Sequence, residues 1–153
     1  MRLRNRKQHL RQRAAIFPGR KFSMQNKKLS AIYSAYLACL NHQEWENLGN
    51  YVADHVAYNG HCIGYAGYLH ARQDEFRTIP DLHFSAQLLI ADEAMVACRL
   101  DFNITPSGDF LGLPVNGKRI SFAEHAFYEF ENGKIAKVWS VLDQAAIESQ
   151  LFP

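Results

Sequence analysis

The chain has 153 residues, 48% hydrophobic and 21% charged, the balance of one soluble globular domain able to bury roughly 70% of its unfolded surface. No apolar run approaches the ~20 residues of a membrane span, so no membrane-spanning helix and no membrane partner are expected. The net charge of +2 conceals an asymmetry: residues 1–28 hold ten of the seventeen Lys/Arg and no acidic residue, while residues 29–153 hold seven basic residues against all fifteen acidic ones. The chain therefore divides into a basic extension, 1–28, and a folded body, 29–153. The extension reads as an upstream segment before a start at Met24, as a targeting segment, or as a nucleic-acid arm. The body has no matching basic face, which argues against nucleic acid. Its apolar stripe is thin, so the extension is expected to be dispensable for folding. Cys39, Cys62 and Cys98 are odd in number, far apart and in apolar company, and they read as reduced, buried thiols of a cytoplasmic protein.

In the body, Leu29, Ile32, Tyr33, Tyr36, Leu37 and Leu40 recur at helical spacing and predict an amphipathic helix over 29–40. Asn41-His42-Gln43 breaks it. A second short helix is predicted over 44–51, with Trp45 and Leu48 inward. A strand over 55–58 turns at Asn59-Gly60 and continues over 61–63. A third helix spans Gly64–Thr78 and stops before Pro80. Strands over 81–90 and 94–105 follow, joined by a tight turn near 91–93, and 106–118 is a loop rich in Gly and Pro. Asp143 is placed to cap a last helix, Gln144–Leu151.

The dominant stretch is 120–143, two long strands joined at Asn132-Gly133, where a type I′ turn needs φ > 0 at both central residues. Pairing Glu131 with Lys134 puts Phe130 opposite Ile135, His125 opposite Ser140 and Glu124 opposite Val141. Ser121, Ala123, His125 and Phe127 then share one surface, and Phe122, Glu124, Ala126 and Tyr128 the other. Both surfaces are largely apolar, so the hairpin is expected to be central and covered on both sides. Helices followed by a run of antiparallel strands define an α+β fold. A curved, mostly antiparallel sheet with three N-terminal helices and a short C-terminal one encloses a pocket between the concave face and the helices. No metal-spaced His/Cys cluster or nucleotide-binding Gly loop is present.

From about Ser30 onward the chain resembles the SnoaL-like polyketide cyclase (ester cyclase) family of the nuclear transport factor 2-like superfamily. The stretches that carry the resemblance are VADHVAYNG (52–60), IPDLHFSAQLLIADEAMVACRLDF (79–102), GDFLGLPVNGKRI (108–120) and FYEFENGKIAKVWSVLD (127–143). The resemblance implies an α+β cone, a homodimer packed through the sheets, and intramolecular aldol ring closure on a hydrophobic small molecule without metal or cofactor. Related superfamily members are isomerases, hydrolases or binding folds, so the alternative is a non-catalytic small-molecule binding module.

An aldol closure needs a proton removed beside a carbonyl, an enolate stabilised and an alkoxide protonated, work for one carboxylate or His in a dry pocket. The resemblance places the acid/base Asp near the end of the last strand, a His on the strand before it and an Asn at the end of the first. These positions correspond to Asp143, His125 and Asn59. Many relatives carry Asp directly after the Trp, where this chain has Ser140. The family pattern assigns the His125/Ser140 face to the pocket, and the expected substrate-binding residues are Tyr58, His61, Trp139, Ser140, Tyr36 and Phe84. Glu124, on the opposite face, is expected to be exposed or at a subunit interface. Asp101, within an apolar strand, needs a partner such as Arg99 or Arg119, or a raised pKa.

Overall fold

The computed structural model describes residues 24–153, so the basic residues of 1–23 lie outside the described part. Helix α1 runs over Met24–Asn41, five residues earlier than its apolar stripe suggests. It is followed by a 3-10 helix, Trp45–Asn50, and by strands β1, Val52–Tyr58, and β2, His61–Cys62. Helix α2, Gly64–Thr78, has the boundaries that its flanking signals predict. Strands β3, Ala86–Asp92, β4, Met95–Ile104, β5, Ile120–Glu131, and β6, Lys134–Leu142, lead to helix α3, Gln144–Leu151. The six strands form one sheet in the order β2-β1-β6-β5-β4-β3. Every neighbouring pair is antiparallel except β1 with β6. This is the expected α+β cone.

The predicted strand over 81–90 begins only at Ala86, because side chains satisfy the backbone before it. Asn41 accepts from the Phe84 amide at 2.8 Å and donates to its carbonyl at 2.9 Å. The Asp81 carboxylate accepts from the Thr105 amide at 2.7 Å and its hydroxyl at 2.8 Å. With those groups occupied, the segment has no need of a ladder.

The β5–β6 hairpin turns as predicted, with φ of 50° at Asn132 and 78° at Gly133, and Glu131 pairs with Lys134 and Phe130 with Ile135. The expected register fails one residue later. Glu129 pairs with Lys137, leaving Ala136 as the extra residue of a β-bulge. Ile135 and Ala136 both point into the core. Lys137 then stands outward, 2.8 Å from Glu129. Beyond the bulge His125 faces Val141, Ala126 faces Ser140 and Glu124 faces Leu142, so Ser140 changes sides.

The concave face is the one that carries Phe122, Glu124, Ala126, Tyr128 and Phe130, and α1 packs on it through buried Tyr33, Tyr36, Leu37 and Leu40. Burying such side chains contributes about 1.5–3 kcal/mol each. The Tyr33 ring lies 4.8 Å from that of Tyr128, and its hydroxyl meets the Cys98 thiol at 3.0 Å. Burial pushes that thiol up to about 11. All three cysteines are free, but Cys62, expected to be buried, is exposed on the two-residue β2. The convex face carries Leu88, Ile90, Phe127, Trp139 and Val141, all exposed. Asp101 is on this face, with Arg99 Nη2 at 3.1 Å, so its partner is one of the two arginines expected. No described helix is long and apolar enough to cross a membrane.

Candidate active site

Between α2 and the concave face lies a cavity of about 670 Å³. Phe84, Phe102, Ile104, Phe122 and Leu142 form its apolar wall, and Phe110 and Leu111 from the loop before β5 form its rim. A cavity of this size suits a small organic molecule. Few polar groups reach it: Tyr58 and Asn59 at the end of β1, His61 on β2, Tyr68, Arg72 and Glu75 on α2, and Glu124 on β5.

Glu124 is 8% exposed, which corrects the expectation of an exposed or interfacial residue. It shares the concave face with Phe122, Ala126 and Tyr128. Its Oε1 accepts from the hydroxyl of Ser140, which the bulge has brought to the same face. Among the described residues no hydrogen bond falls on Oε2. Asn59 holds Ser140 from the other side: the Ser140 amide donates to Asn59 Oδ1 at 2.8 Å, and Asn59 Nδ2 donates to the Ser140 carbonyl at 3.3 Å. Asn59 itself sits at φ 46°, the first position of a tight turn with Gly60.

On α2, Tyr68, Arg72 and Glu75 follow the i, i+4, i+7 stripe of one helix face, so a charged pair lies beside a fully buried tyrosine. Arg72 Nη2 is 2.6 Å from Glu75 Oε1, and the guanidinium lies 5.3 Å from the Tyr68 ring centre and 5.8 Å from that of Tyr58. Burial raises the Glu75 pKa; Arg72 opposes that shift and Glu124 adds to it. Glu75 is a third exposed, so the shift is partly screened. Burial likewise lifts Tyr58 and pushes Tyr68 up to about 12, so both remain neutral hydroxyls near neutral pH.

Of the residues expected from sequence, Tyr58, Asn59, His61 and Phe84 line the cavity. Ser140 reaches it through Glu124. Tyr36 lies beneath, its hydroxyl 2.5 Å from that of Tyr68. Three stand elsewhere. His125 is on the convex face, its Nε2 3.2 Å from Arg99 Nη1, and Trp139 is on the same face opposite Phe127. Asp143 is exposed and caps α3, accepting from the Ala146 amide at 3.1 Å. The face assigned to the pocket is thus the convex one. The sequence offers Glu124 as a candidate, as a carboxylate within the apolar hairpin, but favours an exposed or interfacial place for it; it gives no site role to Arg72 or Glu75, although the α2 stripe is legible. Among the described residues, no three His, Cys, Asp or Glu side chains gather in a metal-ligating cluster.

Leu111 occupies a left-handed conformation, φ 54°, at the cavity rim, followed by Gly112 at φ 74°. A bulky residue there costs about 1–2 kcal/mol. Leu111→Asn relieves the strain and removes an apolar contact at the rim. Thermal stability should hold or rise, while affinity for an uncharged apolar probe such as 2-naphthol falls several-fold. Unchanged affinity would mean that Leu111 does not cover the ligand.

A curved sheet closed by helices around a cavity with apolar walls and one buried carboxylate is an α+β fold of the cone type. The chain belongs to the SnoaL-like polyketide cyclase family, whose model matches residues 30–151. A SnoaL-like polyketide cyclase from Agrobacterium tumefaciens is 50% identical, with a TM-score of 0.79 over 80% of this chain and 97% of that one. TsrD from Streptomyces laurentii is 20% identical, with a TM-score of 0.73 over 85% of this chain and 98% of that one. IdmH from Streptomyces antibioticus is also 20% identical, with a TM-score of 0.69 over 80% and 97%. These last two likenesses establish the fold alone. No curated protein matches the chain significantly.

Proposed function

We propose that this protein is a cofactor-independent acid–base catalyst that cyclises a hydrophobic carbonyl compound by an aldol-type step, with Glu124 as the proton carrier. The observation that carries the reading is a carboxylate, 8% exposed, on an otherwise apolar concave wall, oriented by Ser140 through one oxygen only. Glu124 Oε2 takes the proton from the carbon beside a carbonyl. The C–H electron pair moves into the new C=C bond and the carbonyl π pair moves to oxygen. The enolate carbon then attacks a second carbonyl of the same molecule, and the resulting alkoxide takes the proton back from Glu124. The phenylalanine-lined wall keeps water out and holds the flexible substrate folded, which supplies much of the rate through proximity. Asn59 and Ser140 position the base, and Tyr58, His61 and Phe84 contact the substrate.

The test is turnover of a panel of aromatic and aliphatic poly-β-carbonyl methyl esters, with products separated by mass. Cyclised product above the uncatalysed rate supports the reading. Tight binding of panel members without turnover would replace it with the binding-module alternative.

Two copies are proposed to pack through the convex face. The support is the cluster of Leu88, Ile90, Phe127, Trp139 and Val141, which a lone domain would leave in water. Light scattering should give twice the chain mass at micromolar concentration. Phe127→Lys with Trp139→Lys should halve that mass without unfolding the protein. A monomeric wild type would end the proposal.

A further inference from the structure

The geometry points to Arg72 as the group that receives the substrate's carbonyl oxygen and stabilises the negative charge formed on it. This deepens the acid–base reading, since it supplies the electrophilic partner of Glu124. Glu75 occupies only Nη2 of the guanidinium. Among the described residues, Arg72 Nε is the one buried side-chain atom without a hydrogen-bond partner, and none of them bonds Nη1. Burying a guanidinium with donors unfilled is costly. The same helix shows the cheaper arrangement: Arg77 and Asp74 pair at the same i, i+3 spacing in solvent. Arg72 is instead turned into the cavity wall at 12% side-chain exposure.

The surroundings keep the group fixed and charged. Tyr58 and Tyr68 flank it with their ring faces, and Glu75 anchors one nitrogen. The groups facing it are Glu75 and Tyr68 from its own helix, Tyr58 from β1 and Tyr36 from α1. Glu124 lines the same cavity from β5. Tyr58 lies within electrostatic reach of both Arg72 and Glu124, so the cation and the base border one space. When Glu124 removes a proton, its negative charge is transferred to the substrate oxygen, and a preorganised cation in a low-dielectric cavity stabilises that charge far more than water would. A free Nη1 can donate to the oxygen directly, and a small shift of the side chain on ligand entry brings Nε into line.

The test uses 2-naphthol as a planar, apolar mimic of an enolate and the full chain carrying Glu124→Gln, which reproduces the protonated carboxyl of the intermediate. Bound naphthol should ionise, by its absorption band, at a pH at least about one unit below that in water, a roughly tenfold shift. Adding Arg72→Gln should abolish the shift, and Arg72→Lys, which keeps the charge, should restore part of it. If Arg72→Gln does not fold, the double change Arg72→Met with Glu75→Gln removes the pair without stranding a carboxylate. Naphthol bound only as the neutral phenol, ionisation indifferent to Arg72, or no binding at all would overturn the assignment. The base is judged separately. An Arg72-dependent shift together with full turnover by Glu124→Gln would discard Glu124 and keep Arg72. An absent shift together with lost turnover would do the reverse.

Discussion

Replacing Glu124 by Gln should lower turnover about 10²–10⁴-fold, the usual contribution of a positioned general base, while leaving the fold intact. Gln has nearly the same shape, and its side-chain oxygen can still accept from the Ser140 hydroxyl that now meets Oε1. The change also removes a carboxylate from a site that is 8% exposed, so the melting temperature should stay level or rise. Ligand affinity should change little, which separates loss of chemistry from loss of binding. His125→Ala and Asp143→Ala are the informative controls. The first removes an imidazole from the convex face, and the second weakens a helix cap. Both should retain turnover within a few-fold, with the cap variant losing about 1 kcal/mol of stability. A Glu124→Gln enzyme that turns over at the wild-type rate would rule out the assigned base.

Asn59→Ala is expected to harm stability and turnover together. Two hydrogen bonds to the Ser140 backbone disappear, each worth about 1 kcal/mol, and a residue with a β-carbon but no local polar compensation remains in the left-handed region at a further cost of about 1 kcal/mol. A loss of about 3 kcal/mol lowers the melting temperature on the order of 10 °C in a domain of this size. Asn59→Gly separates the two effects, because glycine tolerates the φ of 46° and forfeits only the bonds. Both variants loosen the end of β6, so the Ser140 hydroxyl no longer holds Glu124, and kcat should fall more than KM rises. Calorimetry and steady-state kinetics on the pair check this. An Asn59→Gly protein that melts and turns over like the wild type would show that the clamp contributes nothing.

Local chemistry made much of the fold legible. Asn132-Gly133 demanded a tight turn because both residues tolerate positive φ, and it formed there with Glu131 opposite Lys134. Gly64 and the approach to Pro80 bounded α2, and Asp143 capped α3, because these signals act within a few residues of the backbone they control. The α+β class followed from the order of elements. Part of the candidate site was also named from the sequence: Tyr58, Asn59, His61 and Phe84 all line the cavity.

The amino-acid sequence by itself determined where the elements start, where the chain turns, and which side chains share a face within one uninterrupted strand. The tertiary structure decided which of two apolar faces is concave. Alternation is symmetric, and only the packing of Tyr33, Tyr36 and Arg72 from the helices breaks that symmetry. It also decided the register beyond Ala136. Because side chains alternate with period two, a single bulged residue moves everything after it to the other face. One trace of this was visible: Lys134 and Lys137 are three apart and cannot both be solvated in a regular strand. The bulge carried Ser140 from the side of His125 to the side of Glu124, and with it the candidate site from the convex face to the cavity.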